Sequence, residues 1–330
     1  MTTAHANDSN NDALLTDYSQ QAAWQAIQTF LPKPMHFTAE YRPRESWWSW
    51  QGHTIHLDRF DNPSAPYRVI LLHGVGTNGR QMSMITGGPL SRRGFETIAL
   101  DLPGYGVTRV NPDAVVTYNT WVDLVSDFID AEKARDPRPI VLYGLSAGGM
   151  LAWHVAARNR QVAGVVGMTF LDQREQVVRD ATARNWFMSR VGGLSANLAA
   201  PTPFGKMKMP MWMTSKMSTL VNNEAALKVF LDDPTSAGNW VTIRFLDSYL
   251  NYQPAQEPED FDTCPVLLTQ PEKDAWTPLA LSQPFMARLK KVPQKTVMLG
   301  NAGHYPLEQP GLQQMEDAIT DFINSLPAKP

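Results

Sequence analysis

Apolar residues along the chain occur in two patterns: short unbroken runs, and longer stretches in which they recur every three or four positions. Unbroken runs are typical of strands buried on both faces, and the longer recurrence is typical of helices that pack by one face. The runs are YRVILLHG (67–74), FETIALDLPGYG (95–106), PIVLYG (139–144), VAGVVGMTFLD (162–172), CPVLLTQPEKDAW (264–276) and KTVMLGNAGH (295–304). Helices are predicted over residues 120–134, 147–157, 279–290 and 311–326. This alternation predicts a doubly wound α/β fold, with a mostly parallel sheet covered by helices on both faces.

The N-terminal part of the chain departs from this alternation. Residues 1–34 are predicted to form an extension with one short amphipathic helix, Tyr18–Phe30, which is ended by two prolines. Residues 35–60 instead alternate apolar and polar positions, as the strands of a hairpin do. The first part of the α/β core is therefore expected to cover residues 35–172.

The alternation stops again over residues 173–258, which are predicted to form a helical cap inserted before the second part of the core, residues 259–330. An insertion at this point lies over the carboxyl ends of the strands, where open α/β sheets bind ligands. The segment is rich in methionine and tryptophan: Met188, Met207, Met209, Met211, Met213, Met217, Trp186, Trp212 and Trp240. These side chains either line an apolar site or pack the inserted segment onto the sheet, and the sequence leaves both readings open.

Composition narrows the class of protein. The chain has 330 residues, 43% of them hydrophobic, which is enough for a large globular core. Its net charge of −3 and the absence of a basic block argue against a nucleic-acid partner. The single cysteine, Cys264, cannot form an intramolecular disulfide and is expected to pack at the start of a strand. With no signal peptide and no membrane span in the sequence, a cytoplasmic location is expected.

A candidate nucleophile stands in VLYGLSAGGM (141–150), where Ser146 has Gly144 and Gly148 two positions to either side. If a buried strand precedes Ser146 and a helix follows it, the chain must reverse within about one residue. The two glycines then remove side chains that would collide across the turn. The serine hydroxyl would project from the top of the sheet, beside the free amides of a helix N-terminus.

A serine hydroxyl needs a base, and His304 is the best candidate among seven histidines. It follows the last apolar run on a glycine-bearing loop, and Asp274 occupies the matching place after the preceding run. The chain order Ser146, Asp274, His304 is that of a nucleophile elbow with its acid and base on parallel strands. Asp172 ends the run after Ser146 and is a competing position for the acid.

The loop LLHGVG (71–76) fits a different task, the binding of an oxyanion. A tetrahedral oxyanion needs two backbone amides directed at one point. Ala147, directly after the serine, would supply one amide and Val75 the other, because its glycine neighbours permit close approach of the backbone. His73 and Gly74 would support this loop.

The remaining histidines do not form a metal site in the sequence. His53 and His56 lie three apart on one predicted strand and point to opposite faces, so they cannot share an ion there. His154, on the helix after Ser146, is expected to pack in the core. No dinucleotide-binding or phosphate-binding glycine motif is present. We therefore expect neither a metal nor an organic cofactor.

These motifs together resemble the α/β-hydrolase fold family: LLHGVG as oxyanion loop, DLPGYG after the next strand, GLSAG as elbow, EKD for the acid and GH for the base. The resemblance covers about 35–172 and 261–326 and implies an eight-stranded, mostly parallel sheet. It places the inserted cap after the strand that ends near Asp172, which is the position that some lipases of this fold use for the acid. Serine at the elbow distinguishes the chain from the epoxide-hydrolase and dehalogenase branches, which have aspartate there.

The sequence therefore predicts a serine hydrolase that cleaves a carboxylic ester, thioester or lactone of an apolar small molecule. The same triad can hydrolyse amides or C–C bonds, so these reactions stay open. A ligand-binding or receptor protein that kept the fold but turns over slowly is the alternative of a different class. The sequence indicates neither the natural substrate nor the oligomeric state.

Overall fold

The structure is a computed structural model that describes residues 17–327, so the predictions for residues 1–16 and 328–330 lie outside it. The described residues contain ten strands: β1 (Arg44–Trp50), β2 (His53–Phe60), β3 (Arg68–Leu72), β4 (Glu96–Leu100), β5 (Ile140–Leu145), β6 (Val162–Met168), β7 (Lys208–Pro210), β8 (Trp240–Thr242), β9 (Val266–Pro271) and β10 (Gln294–Leu299). Eight of them form one sheet in the order β1-β2-β4-β3-β5-β6-β9-β10. This confirms the predicted eight-stranded α/β fold.

Helices alternate with the strands of this sheet along the chain. They are α1 (Ala22–Gln28), α2 (Gly79–Met82), α3 (Gly88–Arg92), α4 (Tyr118–Arg135), α5 (Ala147–Asn159), α6 (Gln176–Thr182), α7 (Gly193–Ala199), α8 (Met211–Thr214), α9 (Glu224–Asp232), α10 (Ile243–Leu250), α11 (Leu279–Arg288) and α12 (Gly311–Ser325). The longest, α4, begins with a capping box in which Thr117 and Thr120 satisfy each other's backbone amides. No helix in the described part of the chain is long and apolar enough to cross a membrane.

The pairing of the strands decides where the chemistry can lie. β1 pairs antiparallel with β2, and β2 pairs antiparallel with β4. Every other pair in the sheet is parallel, and the register sets Leu72 of β3 opposite Gly144 of β5. The carboxyl ends of β3, β5, β6, β9 and β10 therefore meet at one edge, the edge where an α/β sheet binds ligands.

Two expectations need correction. The inserted segment is not purely helical, because β7 and β8 form a small antiparallel sheet within it. The last apolar run is a strand, but it is mostly exposed, and Met298 keeps 44% of its surface accessible. The physical reason is its position: β10 is the edge strand and has a neighbour only on the β9 side. Cys264 is buried just before β9, as expected.

The N-terminal segment contacts the core through Asp101, a buried aspartate directly after β4. The Tyr18 hydroxyl donates to both Asp101 carboxylate oxygens at 3.0 Å. The amides of Gly79 and Val107 donate to the same carboxylate at 2.7 and 2.9 Å, and His56 Nδ1 lies 3.0 Å from it. One carboxylate thus receives groups from the N-terminal segment, the hairpin and two loops of the core.

Candidate active site

Ser146 lies between β5 and α5 in the conformation predicted for a nucleophile elbow. Its φ of 56° and ψ of −121° are unfavourable for a residue with a side chain. The glycines on either side are required by space: a β-carbon on Gly144 would lie 1.9 Å from the Gly148 oxygen, and one on Gly148 would lie 2.2 Å from the Leu72 oxygen. The elbow therefore exists because the strand and helix approach so closely.

Asp274 and His304 contact each other at the carboxyl edge of β9 and β10. Asp274 Oδ2 lies 2.8 Å from His304 Nδ1, and both side chains are buried. Two backbone amides, those of Trp276 and Thr277, donate to Oδ1 at 2.9 and 2.7 Å. Burial opposes ionisation of Asp274, but the His304 ring and the Thr277 hydrogen bonds outweigh it and lower the pKa of Asp274 to about 2. The carboxylate is thus ionised at neutral pH and fixed in direction.

Asp172, the competing acid, has other partners. The Arg174 backbone amide and guanidinium donate to its carboxylate, with a closest side-chain distance of 2.8 Å. Arg288 lies 3.7 Å away on the other side. Although burial acts in the opposite direction, these contacts with Arg174 lower the pKa of Asp172. The described residues thus bring Asp274, and not Asp172, to His304.

The other ring nitrogen of His304, Nε2, is buried and has no hydrogen-bond partner within residues 17–327. An imidazole that donates from Nδ1 to a carboxylate presents Nε2 as an acceptor, although the proton position is an assignment from the hydrogen bonds. The Trp276 indole packs against this ring, with the two ring centroids 4.8 Å apart. Trp276 also lines the same cavity as Ser146. Within the described residues, Ser146 Oγ therefore makes no hydrogen bond to His304 Nε2, and that nitrogen can still accept a proton.

The loop after β3 lies against the elbow. A β-carbon on Gly74 would be 3.1 Å from the Ser146 β-carbon and 3.6 Å from the Ala147 nitrogen. His73 supports this loop: its Nε2 accepts from the Leu102 amide at 2.9 Å and its Nδ1 lies 2.8 Å from the Gly74 oxygen. Burial lowers the pKa of His73, so the ring is neutral at pH 7.

Val75 and Ala147, whose amides were predicted to bind an oxyanion, lie on either side of this contact. The Gly74 carbonyl, which shares a peptide plane with the Val75 amide, accepts from the Thr77 amide at 3.3 Å, and the Tyr105 hydroxyl donates to the Val75 oxygen at 2.7 Å. Ala147 is the first residue of α5, so its amide is one of those that a helix leaves without an intrahelical acceptor. Both residues are buried beside Ser146. Val75 lines the same cavity as Ser146, and the binding of an oxyanion by these two amides stays a prediction.

A cavity of about 70 Å³ opens beside Ser146. Most of its wall comes from the inserted segment, whose apolar lining residues are Ala183, Met188, Met211, Val241, Phe245, Leu246 and Leu250. Val75, Leu171 and Trp276 add apolar surface from the core. Its polar wall includes Gln173, Arg179, Thr182 and Tyr249. The inserted residues thus cover the elbow with a predominantly apolar surface.

Some methionines of the inserted segment line the cavity and others do not. Met188 and Met211 line the cavity, whereas Met217 is buried in the core, against Gly76 of the loop after β3. The three tryptophans of the inserted segment do not line it, and they are 49–65% exposed. The apolar wall depends instead on Phe245 and on leucine and valine side chains, which the sequence pattern did not single out.

Two other histidines contact polar side chains of the core. His154 packs between α4 and α5, where its Nδ1 lies 2.9 Å from the Tyr118 hydroxyl. Burial lowers the pKa of His154 to about 3. His56 belongs to a cluster with Glu45 and Asp58 whose oxygens and nitrogen lie close enough to hold an ion. The Arg80 guanidinium already occupies that cluster, 2.6 Å from Asp58 and 3.2 Å from Glu45. A fixed cation there makes the donor set unsuitable for a metal.

Sequence reasoning missed Thr277. Its hydroxyl donates to Asp274 Oδ2 at 2.8 Å and lies 3.0 Å from His304 Nδ1, so it contacts both members of the pair. A signal was present, because an aspartate whose carboxylate accepts from amides two and three residues later is a common turn motif. DAWT has that spacing, and its threonine could have been predicted to turn toward the carboxylate.

Three features are typical of α/β hydrolases: the eight-stranded sheet, the turn bearing Ser146 at its carboxyl edge, and the contact between Asp274 and His304. A model of the Alpha/beta hydrolase family matches residues 69–313. The chain belongs to this family.

Individual relatives agree with that class. A stretch of 113 residues is 33% identical to protein phosphatase methylesterase 1 from Mus musculus, covering 34% of this chain and 29% of that protein, so less than a third of its length is matched. A soluble variant of monoglyceride lipase from Saccharomyces cerevisiae, in complex with a substrate analog, has a similar fold. Its TM-score is 0.68 at 18% identity, over 89% of this chain and 97% of that one. Monoacylglycerol lipase from Paleococcus ferrophilus has a TM-score of 0.58 at 19% identity, over 82% and 98%. At these identities the two solved structures show a shared fold.

Proposed function

We propose that the protein is a serine hydrolase that cleaves a carboxylic ester of a largely apolar small molecule, with Ser146 as the nucleophile. The observation that carries this proposal is the Asp274–His304 contact of 2.8 Å at the same carboxyl edge of the sheet from which Ser146 opens into an apolar cavity. The names of the relatives, a methylesterase and two lipases, support an ester as the bond that is cleaved.

In the proposed reaction, Ser146 Oγ attacks the ester carbonyl while His304 Nε2 takes the hydroxyl proton. Asp274 holds the proton on His304 Nδ1 and stabilises the imidazolium that forms. The carbonyl oxygen becomes an oxyanion, which the amides of Val75 and Ala147 bind. Collapse of the tetrahedral intermediate breaks the bond to the alcohol, which leaves with the proton from Nε2.

The resulting acyl-enzyme is hydrolysed by the same groups. A water molecule gives a proton to His304 Nε2 and attacks the acyl carbonyl. When the second tetrahedral intermediate collapses, the bond between the acyl carbon and Ser146 Oγ breaks and His304 Nε2 returns its proton to Oγ. The acid product then leaves the cavity. These steps require no metal or organic cofactor.

The test is Ser146→Ala with a matched serine as control. Ser215 lines the same cavity, but its hydroxyl donates to the Met211 oxygen at 2.9 Å and so stabilises a turn. An organophosphorus probe should label the wild type and Ser215→Ala at Ser146, and should not label Ser146→Ala. Turnover of 4-nitrophenyl esters should follow the same pattern. Labelling of any other residue, or undiminished turnover by Ser146→Ala, contradicts the proposal.

A panel of matched esters, amides and 1,3-diketones separates ester hydrolysis from the other reactions of the same triad. An ester hydrolase should show the highest kcat/KM on the ester members. A higher kcat/KM on the amide or the diketone would mean that the enzyme cleaves an amide or a C–C bond, and the assignment of Ser146 would be unaffected.

A further inference from the structure

Arg179, on α6, is the one permanently charged residue among those described that line the cavity beside Ser146. The rest of the wall is apolar or neutral, and Tyr249 stays protonated because burial raises its pKa. Within residues 17–327, no carboxylate oxygen lies within 4.0 Å of the Arg179 guanidinium. The cavity therefore has a net positive charge.

The partners of Arg179 are all neutral oxygens. Its Nε donates to the Gln173 backbone oxygen, and its Nη2 donates to the Leu250 oxygen at 2.7 Å and to Asn251 Oδ1 at 3.1 Å. These three hydrogen bonds fix the direction of the guanidinium, and none of them is to a carboxylate. Nη1, the third nitrogen, donates to no described residue.

Arg174, five residues earlier in the same segment, forms direct ion pairs with carboxylates. Its guanidinium donates to Asp172 at 2.8 Å and to Glu257 at 2.7 Å, and it is not part of the cavity wall. The arginine outside the cavity thus has direct ion pairs, whereas Asp172 and Asp247 act on the Arg179 guanidinium only from beyond ion-pair distance. A half-buried guanidinium without a direct ion pair is unfavourable, and it is tolerated where a ligand supplies the opposite charge.

We propose that Arg179 binds a carboxylate of the substrate, so that the preferred ester carries a free carboxylate at the end of a short apolar chain. This inference rests on the proposed function, because it assigns the substrate class of the same cavity. The guanidinium matches a carboxylate in geometry and charge. One cation balances a monoanion, which favours a carboxylate over a phosphate dianion.

The experiment compares an anionic and a neutral ester of similar acyl length, mono-4-nitrophenyl glutarate and 4-nitrophenyl pentanoate. The spontaneous rate is subtracted with Ser146→Ala, since the glutarate ester has its own intramolecular reaction. We expect wild type to prefer the glutarate ester, and Arg179→Met to lower the ratio of the two kcat/KM values by about 10- to 100-fold, mainly through KM. Arg179→Lys, which keeps the charge without the planar fork, should retain part of the preference.

Arg174→Met is the matched control, and it should leave the ratio unchanged because Arg174 does not reach the cavity. Arg179 could instead act only by stabilising the inserted segment. In that case Arg179→Met would lower both kcat/KM values by the same factor, and Arg179→Lys would not restore the preference. Either an equal loss or a wild type without preference for the glutarate ester overturns the inference.

A binding measurement separates this inference from the proposed function. Ser146→Ala should be stabilised against thermal unfolding by glutarate, and the double variant with Arg179→Met should lose that shift. If wild type hydrolyses neither ester in a manner that depends on Ser146, the proposed hydrolase function fails. The glutarate shift then still decides whether Arg179 is an anion site, and its absence overturns the inference.

Discussion

Replacing Asp274 with asparagine isolates the role of its charge, because the two side chains have nearly the same shape. Oδ1 accepts two backbone amides, so an asparagine keeps its oxygen on that side. Its amide group then replaces Oδ2, which lies 2.8 Å from His304 Nδ1 and 2.8 Å from the Thr277 hydroxyl. An NH₂ group in that place needs an acceptor, so His304 must move its proton to Nε2.

A ring with its proton on Nε2 cannot accept one from Ser146. The same exchange in a serine protease lowers kcat by about 10⁴, which corresponds to about 5.4 kcal/mol of transition-state stabilisation. We expect a loss of this size for Asp274→Asn. The second consequence is a thermal melt close to that of the wild type, since three of the four hydrogen bonds to residue 274 can persist in some form.

The matched control is Asp172→Asn, which alters the aspartate paired with Arg174. This variant should lose at most about tenfold in kcat, or about 1.4 kcal/mol. Both are measured on one 4-nitrophenyl ester at a single pH, with active enzyme counted by organophosphorus titration and folding checked by thermal melt. A larger loss for Asp172→Asn than for Asp274→Asn would refute the assignment of the acid, while leaving Ser146 and His304 in place.

Two further predictions concern the cavity and the pH dependence of folding. The wall beside Ser146 is mainly apolar. We therefore expect kcat/KM for neutral 4-nitrophenyl esters to rise by up to about fourfold per carbon from acetyl to butyryl, which is the effect of burying one methylene. A flat or falling series would mean that the acyl chain does not enter the cavity. Burial lowers the pKa of His154 to about 3, so below the unfolded pKa of about 6.5 only the unfolded chain takes up this proton and stability falls as pH falls. Compared with His154→Gln, the wild type should therefore lose an additional free energy of unfolding approaching about 1.4 kcal/mol per pH unit between about pH 6.5 and 3, measured by urea unfolding; a difference that is constant with pH would contradict the buried neutral state.

The sheet could be predicted from the sequence because its central strands are buried on both faces and therefore read as unbroken apolar runs. Ser146 could be predicted because its turn imposes glycine at fixed positions on both sides. Asp274 and His304 followed from strand order alone, since carboxyl ends of neighbouring parallel strands meet at one edge. In each case a local pattern is sufficient to fix a position in the fold.

The wall of the cavity could not be predicted in the same way. The inserted segment brings together Gln173, Arg179 and Phe245 from separate helices and loops, and no period in the sequence relates these positions. The methionines and tryptophans attracted notice by composition, yet most of them face elsewhere. Composition reports what a segment contains, whereas its irregular path decides which side chains turn toward Ser146.

The contact between Tyr18 and Asp101 bears on how this chain can be divided. A boundary drawn at residue 35 from the sequence pattern would separate the Tyr18 hydroxyl from a carboxylate that is wholly buried. That carboxylate also receives the Gly79 amide at the start of α2, the helix that follows the loop bearing Val75. A chain shortened to the α/β core would thus expose, beneath the loop next to Ser146, a charge that the intact protein keeps from water. The α/β core is therefore not a separable unit, because the N-terminal segment that precedes its sheet supplies one of the contacts of Asp101.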